Sequence, residues 1–160
     1  MKNKVKNHDE LREIMEDLRS AGKKVVFTNG CFDILHTGHV RYLNIAKGYG
    51  DVLVVAINSD DSIRVIKGEK RPIVPQSERA EVLAALSMVD YVTIFEEDDP
   101  HHVIAELMPD VLVKGGDWAV DEIIGRDIVE ADGGHVYSIP YIEGSSTTNI
   151  IETVLERYGR

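Results

Sequence analysis

Apolar residues recur along this chain with two alternating periods, and the alternation sets the expected fold. Leu11, Ile14, Met15 and Leu18 stand at helical spacing within residues 9–20, with Asp9 placed to cap that helix. Residues 24–28 read as a short buried strand broken at Asn29-Gly30. A helix over 38–47 puts Val40, Leu43 and Ala46 on one stripe. Residues 51–58 then form a nearly continuous apolar strand, of the kind found where a sheet is covered on both faces. A short helical stretch and a polar loop at 67–72 follow. The next helix, over 77–88, offers Val82, Leu83, Ala85 and Leu86 to the core. Beyond it the pattern predicts strands at 91–95, 110–113 and 135–139, helices at 100–107 and 125–132, and a closing helix over 147–158.

Strands alternating with helices imply a parallel sheet joined by right-handed crossovers. The expected architecture is therefore α/β and Rossmann-like: a doubly wound domain with a mainly parallel five-stranded sheet flanked by helices. No internal repeat, low-complexity tract or long linker divides the chain. Residues 1–160 are expected to form one domain, with 1–22 as an N-terminal helical extension. Ligands of such sheets bind beyond the carboxyl ends of the strands, at the switch point. Asn29-Gly30-Cys31, Asn58-Ser59-Asp60 and Lys114-Gly115-Gly116-Asp117 fall at those ends, so polar and glycine-rich residues stand where a ligand belongs.

Charge narrows the field of ligands. The formal net charge of −10 repels nucleic acid and anionic membranes. Small phosphates stay open, provided that basic groups gather locally in one cleft. Cys31 is the only cysteine, so no intrachain disulfide forms, which suits a reducing cytosol. The basic first residues lead into Asp9-Glu10-Leu11-Arg12-Glu13 rather than an apolar segment, and apolar runs such as 52–57 are strand-sized. The expectation is a cytoplasmic protein without a membrane span.

The segment with the most chemistry runs from Thr28 to His39, from a strand end to a helix start. Thr37 is placed to cap the helix, with Gly38 and His39 in its first turn. Free backbone N–H groups there, with the positive end of the helix dipole, make a ready phosphate site. Gly38 admits close approach of a ligand, and His36 and His39 can each donate to a phosphoryl oxygen, more strongly when an adjacent anion favours their protonated forms. A purely structural role is the blander reading. A zinc site from Cys31, His36 and His39 is the third, although no second cluster with ligand spacing accompanies it.

Gly144-Ser145-Ser146-Thr147-Thr148-Asn149 opens the closing helix, with more hydroxyls than one N-cap needs. Alone it reads equally as a generous cap; paired with the first segment, it makes a second anion-seeking helix start. Lys67, Lys70 and Arg71 lie in one loop with Arg79 on the next helix, a group able to close over an anionic acceptor or simply to be solvated. Lys114, Gly115, Gly116, Asp117 and Trp118 bring backbone, a carboxylate and an aromatic to bear on a nucleobase or sugar, or else turn the chain and pack it. A Walker-type loop, a G-x-G-x-x-G after the first strand and a G-x-S-x-G elbow are all missing from the sequence. This disfavours P-loop enzymes, dinucleotide oxidoreductases and α/β-hydrolases.

The stretch 28–39, with Gly30, Phe32, Asp33, His36, Gly38 and His39, resembles the signature of the cytidylyltransferase-like nucleotidyltransferases. Lys67-Gly68, Arg71-Pro72, residues 113–117 and residues 144–151 extend the resemblance over nearly the whole chain from about residue 24. Together they are most similar to the branch of adenylyltransferases that makes ADP-heptose for lipopolysaccharide cores, found alone or fused to a sugar kinase. Tyr141 stands where the glycerol-phosphate cytidylyltransferases carry an arginine, which favours the heptose branch.

What the resemblance implies is in-line attack of an acceptor phosphate oxygen on the α-phosphorus of ATP, with Mg²⁺ travelling with the triphosphate rather than on a protein metal site. His39, His36 and Lys67 are then the catalytic candidates. Thr28, Asn29, Gly30, Cys31, Phe32, Asp33, Gly38, Arg79, Lys114, Gly115, Gly116, Asp117, Trp118, Ser146, Thr147 and Thr148 are expected around nucleotide and phosphates, and Lys70 and Arg71 around the acceptor. A sugar 1-phosphate acceptor, a homo-oligomer and a functional link to a heptose kinase also follow. The competing readings are a cytidylyltransferase for a polyol or amino-alcohol phosphate and a non-catalytic nucleotide-binding module.

Overall fold

The computed structural model describes residues 3–116, 118–140 and 146–159. At its centre are β1 (Val25–Gly30), β2 (Val52–Asn58), β3 (Tyr91–Phe95), β4 (Val111–Gly115) and β5 (His135–Ile139). They form one sheet in the order β3-β2-β1-β4-β5, every neighbouring pair parallel. The helices are α1 (His8–Ser20), α2 (Thr37–Lys47), α3 (Asp60–Lys67), α4 (Gln76–Ala85), α5 (His101–Leu107), α6 (Arg126–Ala131) and α7 (Thr147–Tyr158), with a 3₁₀ turn at Val120–Glu122.

Side chains alternate across a strand, and both faces of this sheet are covered, which explains the unbroken apolar runs. Leu53, Val55 and Ile57 of β2 face one layer with Val26 of β1, Leu43 and Ala46 of α2, and Ala80 and Leu83 of α4. Val54 and Ala56 face the other layer with Phe27 of β1, Leu11 and Met15 of α1, Ile104 and Leu107 of α5, and Val129 of α6. The doubly wound architecture expected from the alternation is the one observed. Because β2 and β4 lie on opposite sides of β1, the crossovers diverge there and open a crevice at the carboxyl ends of β1 and β4.

Local chemistry moved several boundaries. Strand β1 continues two residues past the expected 24–28, because Asn29 and Gly30 still pair with Ala56 and Ile57 of β2. Helix α4 stops at Ala85, where Leu86 turns extended, rather than at 88. Asn7, not Asp9, caps α1: its side chain accepts from the Glu10 N–H while the Glu10 carboxylate accepts from the Asn7 N–H, a reciprocal capping box. Ahead of it, residues 4–6 cover the β3 edge, Lys6 N–H donating to Val92 and Val92 N–H to Lys4, both at 2.9 Å. Among the described residues, no helix is long and apolar enough to cross a membrane.

Candidate active site

The loop from β1 to α2 passes over the crevice and is held there by its own aspartate. Phe32 takes a left-handed backbone (φ 44°), and its ring is buried. Asp33 is 3% exposed, and its carboxylate accepts from Ile73 N–H (2.9 Å), Val74 N–H (2.8 Å) and Arg71 Nε (2.6 Å). Burial alone would raise its pKa, but these donors outweigh burial and hold the carboxyl below its ordinary range. Asp33, expected to bind nucleotide, is thus committed to protein donors and fastens the loop carrying Arg71.

Arg79 also departs from expectation. It is 1% exposed and stays off the crevice. Its guanidinium donates to the carbonyls of Val74 (3.0 Å), Cys31 (2.6 Å) and Asn58 (2.9 Å), and to Asp60 Oδ1 (2.8 Å). A planar fork with five donors can gather four acceptors from three separate segments of the chain at once. The residue joins the ends of β1 and β2, its donors taken by protein acceptors.

Above this framework lies a cavity of about 410 Å³. It is lined by Asn29, Gly30, Cys31, Phe32, Asp33, His36, His39, Tyr42, Lys67, Arg71, Lys114, Gly115, Trp118, Ser146, Thr147 and Thr148. Segments some 110 residues apart in sequence therefore meet, as Thr147 Oγ1 shows by donating to the Ile34 carbonyl at 3.2 Å (|i−j| = 113). Three cations, Lys67, Arg71 and Lys114, share one wall in a chain whose net charge is −10. Two helix N-termini, those of α2 and α7, point their free N–H groups to the same region.

Helix α2 begins at Thr37, so His36 and not Thr37 holds the N-cap position, without a side-chain cap bond. The rings of His36 and His39 stack with centroids 3.9 Å apart, and His39 also meets Phe32 at 5.1 Å. Among the described residues, Nδ1 of each imidazole is buried without a hydrogen-bond partner. Burial pushes His39 down to about 4, His36 adding to the fall, and burial lowers His36 as well. Both are neutral donors at pH 7 until an anion arrives to favour their protonated forms. Burial likewise lowers Lys114, whose Nζ donates to Asn29 Oδ1 at 3.3 Å, and raises the Cys31 thiol despite the cations nearby.

The remaining candidates fall on and off the wall. Ser146 caps α7 by accepting from the Asn149 N–H at 3.0 Å. Trp118 is half exposed at the rim. Gly38 sits in the first turn of α2, Thr28 lies buried beneath the floor, and Gly116 turns away to donate to the Ile139 carbonyl at 2.9 Å. Lys70 is exposed and off the wall. Asp117, Tyr141, Gly144 and Ser145 lie outside the described residues. The sequence reading did not single out Tyr42, whose hydroxyl lies 2.5 Å from Thr28 Oγ1 and donates to the Val113 carbonyl at 3.1 Å. Its position on α2 one turn after His39 was the available signal.

Residues 27–153 match the model of the cytidylyltransferase-like family. Over 98% of its length the chain is 55% identical to the bifunctional protein HldE of Geobacter metallireducens, and as similar to that of Geobacter sulfurreducens. It spans about a third of the length of these curated relatives, 32% of each. Among solved structures it is similar to the lipopolysaccharide core biosynthesis protein from Thermoplasma volcanium GSS1, at TM-score 0.63 and 31% identity, covering 78% of this chain and 100% of that one. Pantoate-beta-alanine ligase from Francisella tularensis, at TM-score 0.62 and 15% identity over 93% of this chain and 76% of its own, shares the fold alone. The matched span holds the sheet from the third residue of β1 onward, the stacked histidines and the start of α7; the chain belongs to the cytidylyltransferase-like family and is a nucleotidyltransferase.

Proposed function

We propose that the chain transfers AMP from ATP to D-glycero-D-manno-heptose 1-phosphate, giving ADP-heptose and pyrophosphate for lipopolysaccharide core synthesis. The observation that carries the reading is one cavity lined together by Lys67, Arg71 and Lys114, the paired imidazoles of α2 and the hydroxyl-rich start of α7. Two phosphorylated substrates need that much positive potential in a protein of net charge −10. The heptose acceptor is supported by the motif resemblance and by similarity to a protein named for lipopolysaccharide core biosynthesis.

In the reaction, an oxygen of the acceptor phosphate forms a bond to the α-phosphorus as the bond from that phosphorus to the β-phosphate oxygen breaks. The electron pair leaves with pyrophosphate. The protein positions both phosphates and neutralises the charge that grows on their oxygens. His39, with His36 behind it, donates to the α- and β-phosphates, and Lys67 completes the site from the end of α3. Ser146, Thr147 and Thr148 hold the outer phosphates, and Trp118 borders the nucleoside. Asp33 is the one carboxylate among the described residues of the wall, and its oxygens already accept three protein donors. In this proposal Mg²⁺ travels with the triphosphate.

The test crosses ATP and CTP with the heptose 1-phosphate anomers and glycerol 3-phosphate, and reads pyrophosphate release. Turnover with ATP and one heptose 1-phosphate is the expected result. Turnover with CTP and glycerol 3-phosphate would replace the substrates and keep the chemistry, and nucleotide binding without turnover on any acceptor would overturn the proposal.

A further inference from the structure

Among the described residues, Nδ1 of both histidine rings lacks a partner, and the N-cap residue His36 makes no side-chain cap bond to α2. The position of His39 is therefore inherited from the backbone of α2, and the question becomes what fixes that helix. At its far end Lys47 donates to Asp90 Oδ2 and to the Asp51 carbonyl, both at 2.5 Å. Midway along it, Tyr42 is an anchor.

Tyr42 stands three residues after His39, on the same face of the helix. Its hydroxyl donates to the Val113 carbonyl of β4 at 3.1 Å and lies 2.5 Å from Thr28 Oγ1 of β1. One oxygen thereby spans the two strands whose separation forms the crevice. The ring lies against Gly115, where an added Cβ would stand 3.0 Å from Tyr42 Cε2. A side chain at position 115 would push the ring, and the helix with it, away from the strand ends.

We infer that Tyr42 is a positioning residue for nucleotidyl transfer, pinning the middle of α2, one turn after His39, to β1 and β4 so that His39 keeps its place over the crevice. The inference rests on the reading of His39 as a phosphate-contacting group. Displacement of a catalytic donor by a fraction of an ångström acts on the transition state more than on the bound nucleotide.

The experiment compares wild type, Tyr42→Phe, Thr28→Val and the double variant. Tyr42→Phe keeps the ring and its packing, so the fold survives. The expected result is a kcat lower by about tenfold with KM for ATP within about twofold. The double variant should be no slower than the slower single one, because both act through the same bond. In the free proteins, the imidazole NMR titration of His39 should shift up from about 4 in Tyr42→Phe, as a released ring gains solvent. His36, Lys67, Arg71 and Lys114 face the same cavity in every variant, so their charges cancel in the comparison. An unmoved His39 titration overturns the inference, as does a kcat within twofold of wild type or a loss confined to thermal stability. A wild type silent with heptose 1-phosphate refutes the substrate instead, and the His39 titration, recorded without acceptor, still decides the pin.

Discussion

His36 and His39 stack at 3.9 Å between ring centroids, their planes 26° apart, and each buries an Nδ1 that no described group satisfies. A buried polar atom without a partner is costly, and native structures keep few of them. Here the two unpartnered atoms sit on residues that line the one cavity where α2, α7 and three cations converge. In the proposed function the two rings meet phosphoryl oxygens of the nucleotide.

Removal of the nearer imidazole tests this directly. His39→Ala should lower kcat about a hundredfold, in line with the loss of one preorganised donor to developing charge. KM for ATP should change little. Steady-state kinetics decide it, and a raised KM at full kcat would reassign His39 to ground-state binding.

The neutral state of His39 makes stability depend on pH in a defined window. Its pKa is about 4 in the folded chain against 6.5 for an ordinary imidazole. Between those values the unfolded chain binds a proton that the folded chain refuses, so folding stability rises with pH across that range. The contribution is complete above about 6.5 and is lost as pH falls toward about 4. Urea midpoints at pH 7 and pH 5 should fall more for wild type than for His39→Gln, and equal slopes would contradict the depressed pKa.

Arg79 is predicted to matter for folding before chemistry. Arg79→Lys leaves carbonyls of Cys31, Asn58 and Val74 short of donors and weakens the pair with Asp60. The expected loss is about 3 kcal/mol of stability, the scale of breaking a buried charged network. Denaturant titration measures it. Unaltered stability with impaired nucleotide binding would restore the phosphate role expected from the sequence.

In the proposed function Asp33 acts on the acceptor side, through the loop it fastens. Asp33→Asn removes the charge that holds Arg71 and weakens acceptance from the Ile73 and Val74 N–H groups. KM for the sugar phosphate should rise about tenfold, as for loss of a charge-assisted bond, while KM for ATP moves less. The reverse pattern would place Asp33 on the nucleotide side after all.

Much of this was legible in the sequence because it depends on local pattern. The apolar periods set five strands and their helices, and residues 91–95, 135–139 and 147–158 carry the boundaries expected of them. The errors are local competitions that pattern alone does not rank: Asn7 over Asp9 as a cap, or strand pairing carried through the polar Asn29 and Gly30. The histidine pair, Lys67, Lys114 and the hydroxyls at 146–148 were likewise visible as chemistry at strand and helix ends.

What the sequence by itself determined, then, was the alternation of elements and the residue types at their ends, since both follow from burial and backbone geometry within short windows. Only the tertiary structure decided which polar side chains face a ligand and which are consumed in holding the frame. Arg79, Asp33 and Lys114 are all charged residues near strand ends, yet Arg79 is spent on carbonyls, Asp33 on a loop, and Lys114 is left on the cavity wall. Tyr42 is one more polar residue on an amphipathic helix until β1 and β4 bring Thr28 and the Val113 carbonyl to its hydroxyl. The difference is set by contacts between residues from 14 to 113 apart in the chain, which no local window contains.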